Sequence, residues 1–385
     1  MVKTGAAKKV NQKIKIFMKN LFVSLVSVFL LITGHSQFIH PGMLHNTKDL
    51  EFLRKKVTGG EAPWASLWTD LTTSKDADLN WKPQPIKTIV VGFFSKPDIG
   101  ATQFTNDGNV AYTMALQYYV SKDKAYAEKA IEIINAWSYT LDSITDKNKK
   151  LLLGMNGIKY LNAAEIIRYT YKGWKKDDQQ AFEKMALTNW YPLLEDFMPA
   201  YNGNWDAAII QTMMCIGIFC DRKDIFERAY NQCLKGASNG NINNYFNDWG
   251  QCQESGRDQG HTQMGLGFLS TVCEIAWKQG YDLYSAYKNK LATGYEYTAK
   301  YLLGEDVKYV QYITFENKPV FADTISSAGR GKFSPIYERA YHHYHDRMGM
   351  EMPYTQRALE KSRNEGDNRG FMPWASLMNR GYPVK

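Results

Sequence analysis

The chain has 385 residues, 22% of them charged and 44% hydrophobic, with a formal net charge of +8. Six lysines and no acidic residue fall within residues 1–36; without that stretch, 41 basic residues face 39 acidic ones and the excess shrinks to +2. So small an excess gives no case for nucleic acid, and any attraction for an acidic ligand must come from local placement.

The N-terminus reads as an export signal. Lys13, Lys15 and Lys19 precede an apolar run over 21–32, followed by Gly34-His35-Ser36 and Gln37. A basic region, a short apolar core and small residues two apart fit cleavage after Ser36. A start at Met18 would make 1–17 an extension of that signal. The run is too short for a comfortable membrane span, and no Cys follows it to carry a lipid. Residues 37–385 are therefore expected as one periplasmic or secreted domain with no membrane anchor.

After the signal, the spacing predicts a succession of helices. Residues 109–120 form the first, and Tyr126, Ala130, Ile133, Ile134 and Trp137 mark one face of the second over 126–137. Further helices are predicted over 157–171, 178–197, 206–220, 223–236, 259–279 and 282–303. Strand-like alternation is scarce, with 88–94 and 308–315 the better candidates. Antiparallel helix pairs with short turns leave an α-solenoid or an (α/α) toroid. No repeat of about 34 residues is present, which favours the toroid. The expected fold is all-α, an (α/α) toroid or incomplete barrel with few short strands. The five cysteines (Cys215, Cys220, Cys233, Cys252, Cys273) lack zinc-like spacing and read mainly as small buried apolar residues. Aromatic residues make up 14% of the chain, and their faces suit either sugar rings or a packed helical core.

The densest chemistry lies in Gln253-Glu254-Ser255-Gly256-Arg257-Asp258-Gln259-Gly260-His261-Thr262-Gln263, just before the apolar run 264–277. An acid, a guanidinium, an imidazole and several amides in eleven residues are costly to bury without partners. They suit a wet cleft holding a polar, anionic ligand. His261 is the side chain there most readily set up to exchange a proton near neutral pH. Elsewhere His342-His343-Tyr344-His345 offers three imidazoles, but a helix leaves only His342 and His345 on one side and no carboxylate-bearing zinc motif is near. No metal and no cofactor are expected.

Several segments together resemble the alginate-lyase superfamily of (α/α)-toroid polysaccharide lyases, nearest to polysaccharide lyase family 38. They are His40-Pro41-Gly42-Met43-Leu44; the hairpin over 104–137 with Asn106-Asp107 and Ala136-Trp137-Ser138; Asn202-Gly203-Asn204-Trp205; Gln253-x-x-x-Arg257; and the stretch 329–338. Two departures stand out. The Asn202–Trp205 motif has no His, and Gln263 stands where sister families place a Tyr after the Arg.

The resemblance implies β-elimination on a 1,4-linked uronate polymer, alginate first, leaving an unsaturated uronate end. Such a lyase neutralises the carboxylate, removes the C5 proton and protonates the leaving O4. The implied catalytic set is Asn204 as carboxylate neutraliser, Arg257 as carboxylate grip, His261 as base and Tyr337 as acid. Asn202, Trp205, Glu254, Gln263, Arg330, Tyr309 and Tyr341 are the implied substrate-binding residues, and Tyr312 is a further tyrosine in range. Each has a structural alternative: a helix cap for Asn204, an ion pair with Glu254 or Asp258 for Arg257, the core for Trp205, a buried carbonyl-bonded ring for His261 and a loop charge for Arg330. Asp258 reads as a solvated or capping residue. Two other classes fit the same composition. An inverting glycoside hydrolase would draw its carboxylates from Glu254, Asp206 and Asp258; a non-catalytic glycan binder would need none.

Overall fold

The computed structural model describes residues 38–313, 319–362 and 371–381; the export signal lies outside them. All elements below belong to one unit beginning at Ile39. In chain order, the helices of nine residues or more are α1 (Thr47–Thr58), α2 (Trp64–Thr72), α3 (Ala101–Ser121), α4 (Lys124–Thr140), α5 (Lys149–Thr170), α6 (Lys176–Met185), α7 (Gly203–Phe219), α8 (Lys223–Lys235), α9 (Gln259–Lys278), α10 (Ala286–Leu302) and α11 (Pro353–Ser362).

Helices α3, α5, α7 and α9 pack side by side as an inner layer, α3 on α5, α5 on α7 and α7 on α9. Helices α4, α8 and α10 lie against α3, α7 and α9, and α6 packs on α4, giving the outer layer. This is the expected toroid of paired helices. Burial follows the layering: every residue of α7 is buried, whereas α8 buries only Ile225, Phe226, Ala229 and Cys233. A helix apolar all round belongs inside, and one with a single apolar stripe belongs on the rim.

The helix starts have local causes. Asn46 and Asp49 make a reciprocal capping box at α1, and Asp123 and Asp258 cap α4 and α9. Two starts come a full eight residues earlier than expected. Helix α3 begins at Ala101, eight residues before 109, and α5 begins at Lys149, eight before 157. The extra turns are rich in polar residues because one side of them faces a cleft. Asp107, buried in α3, accepts hydrogen bonds from Trp81 Nε1 (2.7 Å), Trp137 Nε1 (2.7 Å) and Gln84 N (2.9 Å). The helix expected over 178–197 is interrupted by a π-helical turn, Ala186–Trp190, before Tyr191–Leu194. Pro192 lacks the N–H that an unbroken ladder needs.

The strands are few. β1 (Thr88–Val91) pairs antiparallel with β2 (Asp98–Ile99) and parallel with β3 (Ser143–Thr145), aligning Val90 with Ile99 and with Thr145. β4 (Tyr312–Ile313) pairs antiparallel with β5 (Pro319–Val320). The five cysteines are unpaired, and all but Cys220 are buried.

Candidate active site

The first turns of the four inner helices meet around a cleft of about 680 Å³. Helix α3 contributes Thr102, Thr105 and Asn106, α5 contributes Leu152, Met155 and Asn156, and α7 contributes Asn204 and Trp205. Arg257, His261 and Met264 enter from α9 and its approach, and the loop after β1 adds Phe93 and Phe94. Each inner helix thus turns its N-terminal, partially positive end toward the same space, which favours an anion there. Arg257 is the sole Lys or Arg among the lining residues, so helix ends and amides supply much of the attraction.

His261 is held from behind. Asp258 Oδ1 accepts the His261 backbone N–H at 2.8 Å, the cap of α9, while Oδ2 lies 2.6 Å from Nδ1. Nδ1–H is thereby fixed as a donor, which leaves Nε2 as the ring nitrogen able to accept a proton. Burial alone would raise the Asp258 pKa, but hydrogen bonds from the His261 ring and backbone, with the charges of His261 and Arg257, pull it below the usual range. Asp258 is therefore a cap, as expected, and also the carboxylate that orients the imidazole.

Asn204 is 1% exposed, and its Oδ1 has no hydrogen-bond partner. Unpaired buried amide oxygens are uncommon, and Asn204 is among the residues lining the cleft. The helix-cap alternative for it does not hold: Asn202 stands at the N-cap of α7, and its side chain makes no capping bond. Asn202 Nδ2 instead donates to Glu254 Oε1 at 2.9 Å. Arg257 is partly exposed. Its guanidinium lies 3.6 Å from Glu254 and 3.8 Å from Asp258, too far for hydrogen bonds to either, which leaves its fork available to a ligand. Trp205 lines the cleft with its ring against Tyr201, centroids 4.8 Å apart.

Other implied site residues lie elsewhere. Tyr337 is wholly buried and donates to Gln263 Oε1 at 3.1 Å, so it cannot reach a substrate in this cleft. Gln263 accepts from Ser334 N and donates to Gln259 O and Lys332 O, a structural bracket. Glu254 has no exposed surface and sits beneath the site; burial raises its pKa against the pull of Arg257 and Asn202. Arg330 donates to the carbonyls of Tyr301 and Glu305 and lies over the Tyr301 ring. The Tyr309 hydroxyl donates to Ala322 O and occupies the space that makes Gly256 necessary, so that glycine makes room for the protein rather than for a ligand. Tyr341 stacks on His345, and the Tyr312 hydroxyl donates to Asn244 O and accepts from Gln253. Within the Asn202–Trp205 motif, Gly203 is fixed by its surroundings. A side chain at Gly203 would meet Asn239 O at 2.1 Å.

The structure adds residues that the sequence reading passed over. Tyr201, 37% exposed, is the one tyrosine among the lining residues. Asn106, Asn148 and Asn156 bring further amides. Polar residues recurring at helical spacing in 102–106 and 148–156 were the available signal. Among the described residues no group of three or more His, Cys, Asp or Glu is placed to hold a metal ion. His342 and His345 both turn to Asp346.

A sequence model of the alginate lyase family matches residues 99–307, more than half of the chain and every inner helix. The chain belongs to the alginate lyase family. It is accordingly a polysaccharide lyase. No curated protein matches it in sequence. Among solved structures, an alginate lyase from Bacteroides ovatus superposes with a TM-score of 0.62 at 14% identity, covering 90% of this chain and 100% of that one. Alginate lyase A1-III from Sphingomonas species A1 gives 0.65 at 12% identity, covering 89% and 97%. A histidine-to-alanine variant of alginate lyase A1-III complexed with tetrasaccharide gives 0.63 at 12%, covering 86% and 94%. At such identities the family's helical architecture is shared, and side-chain roles must be read from this chain.

Proposed function

We propose that the protein cleaves a 1,4-linked uronate polymer, alginate first, by β-elimination, and that it works outside the cytoplasm after loss of residues 1–36. The solved relatives named as alginate lyases support the substrate class. The observation that carries the chemistry is the Asp258-held His261 sharing one cleft with Arg257 and the unpaired amide of Asn204. Arg257 and the Nδ2 hydrogens of Asn204 donate to the uronate carboxylate and stabilise the enolate-like charge that builds there. His261 Nε2 takes the C5 proton, and the resulting imidazolium is stabilised by Asp258. Tyr201 takes the acid role assigned to Tyr337, giving its phenolic proton to O4, while Trp205 supports the sugar.

A hydrolase is disfavoured by the same cleft. Inversion needs two carboxylates about 6.5–9.5 Å apart. Asp98 is the sole acid among the lining residues, and it is committed to Ala101 N and Thr102. Asp206, another acid weighed for that role, accepts from Met198 N, Ser238 and Gln232 in the interior.

The test is ultraviolet absorbance during incubation with alginate, its mannuronate and guluronate blocks, and glucuronan, since only elimination creates a conjugated unsaturated uronate. Turnover on at least one polymer is expected, with loss of about 10²–10⁴-fold in His261→Ala. Reducing ends produced without absorbance would refute the elimination.

A further inference from the structure

From the Asn148 N-cap into α5 the cleft-lining positions run Asn148, Leu151, Leu152, Met155 and Asn156, and the next position on that stripe is Lys159. Lys159 has no exposed surface, and its Nζ donates to Asn156 Oδ1 at 2.9 Å. Asn156 Nδ2 spends one hydrogen on Leu152 O at 3.0 Å, while the side chain lines the cleft. Its second N–H is thus the group through which Asn156 can reach a bound anion. An ammonium bonded to the oxygen of an amide polarises it and strengthens the donors on its nitrogen.

Resting on the lyase reading above, we infer that Lys159 is a positioning residue that acts through Asn156, its buried ammonium charging the amide that meets the uronate carboxylate during elimination. A lysine without a surface role is costly to keep in a helical interior, and among the described residues no carboxylate forms an ion pair with it. Asp76, on the neighbouring 3-10 turn beside Lys75, acts on it only through space. Of the other charged groups on packed elements, Asp107 on α3 is satisfied by two indoles and Gln84 N, and Asp206 on α7 by its own three donors. On the α9 side stand His261 and Arg257, with Asp258 and Glu254 as their acids. Burial pushes the Lys159 pKa down to about 7 against the pull of Asp76. The ammonium is therefore present below that value and lost above it, and a bound carboxylate favours it.

The direction of the pH dependence follows. In the free enzyme Lys159 gives kcat/KM a falling limb on the alkaline side, and in kcat that limb moves to higher pH because the substrate anion holds the proton on. Removing the charge in Lys159→Met is expected to lower kcat about 10- to 100-fold with a smaller change in KM, and to abolish the limb. Lys159→Gln gives the same comparison should the Met variant fail to fold, with circular dichroism as the check. Adding Lys159→Met to Asn156→Ala is expected to cost little beyond Asn156→Ala alone, because without the amide the ammonium has nothing to act through. Wild-type kcat in a folded variant, or a lowered kcat with an unaltered alkaline limb, overturns the inference while leaving the lyase reading intact. A wild-type enzyme that turns over no polyuronate overturns both.

Discussion

Asp258 carries two functions that one substitution can separate. Its Oδ1 caps α9 through the His261 N–H, and its Oδ2 holds the His261 ring. Asp258→Asn retains a residue that caps as well as Asp, so helix stability should change by no more than about 0.5 kcal/mol. What it removes is the negative charge facing Nδ1. A hydrogen bond to a charged partner contributes about 1.5–3 kcal/mol, and the imidazolium formed on proton abstraction feels all of it. At about 1.36 kcal/mol per decade, kcat should fall about 10- to 150-fold. The charge also acts on stability. Because the folded Asp258 pKa is depressed, its contribution is present above the unfolded carboxylate value and is lost as pH falls through the lower folded one. The assay is initial rate by ultraviolet absorbance, with a thermal melt on the same sample. An Asn variant with wild-type kcat would show that Asp258 is only a cap, and the orientation of His261 would need another cause.

Two tyrosines give a contrast. Tyr201→Phe is expected to lower kcat about 10²-fold or more with little effect on KM, whereas Tyr337→Phe should keep kcat and cost about 1 kcal/mol of stability through its bond to Gln263; the reverse pattern in steady-state kinetics would return the acid to Tyr337. Glu274 tests the buried ion cluster, where Arg347 donates to both its oxygens, Lys278 lies 3.1 Å away and Tyr284 adds a hydroxyl. Burial would raise its pKa, yet Lys278 and Arg347 hold it well below the ordinary value, so stability from this group is full above the unfolded Glu pKa and lost on acidification. Glu274→Gln should cost about 3–5 kcal/mol at neutral pH and flatten the acid side of the melting-temperature profile; chemical denaturation across pH measures both.

Much of the architecture could be read along the chain. Eight expected helical segments have counterparts in α3 to α10, and the 88–94 strand reading contains β1, because apolar spacing along a helix or strand is a local property. The same holds for the dense polar stretch at the start of α9: Arg257 and His261 stand four residues apart on either side of the Asp258 cap, and both reach the cleft. Local pattern failed where a residue's partner comes from elsewhere in the chain. The early turns of α3 and α5 look like loop because their polar residues answer to a cleft that exists only once four helix ends meet. Tyr337 resembles an acid by spacing, yet Gln263, 74 residues earlier, takes its hydroxyl into the interior. Asp258 reads as a solvated or capping residue and Lys159 carries no local signal, until folding bonds the first to the His261 ring and seals the second beneath Asn156. The periodicity and the local motif were therefore set by the sequence itself. Which polar groups face water, and which face one another, was decided by packing, since burial and hydrogen bonding depend on neighbours that no local window contains.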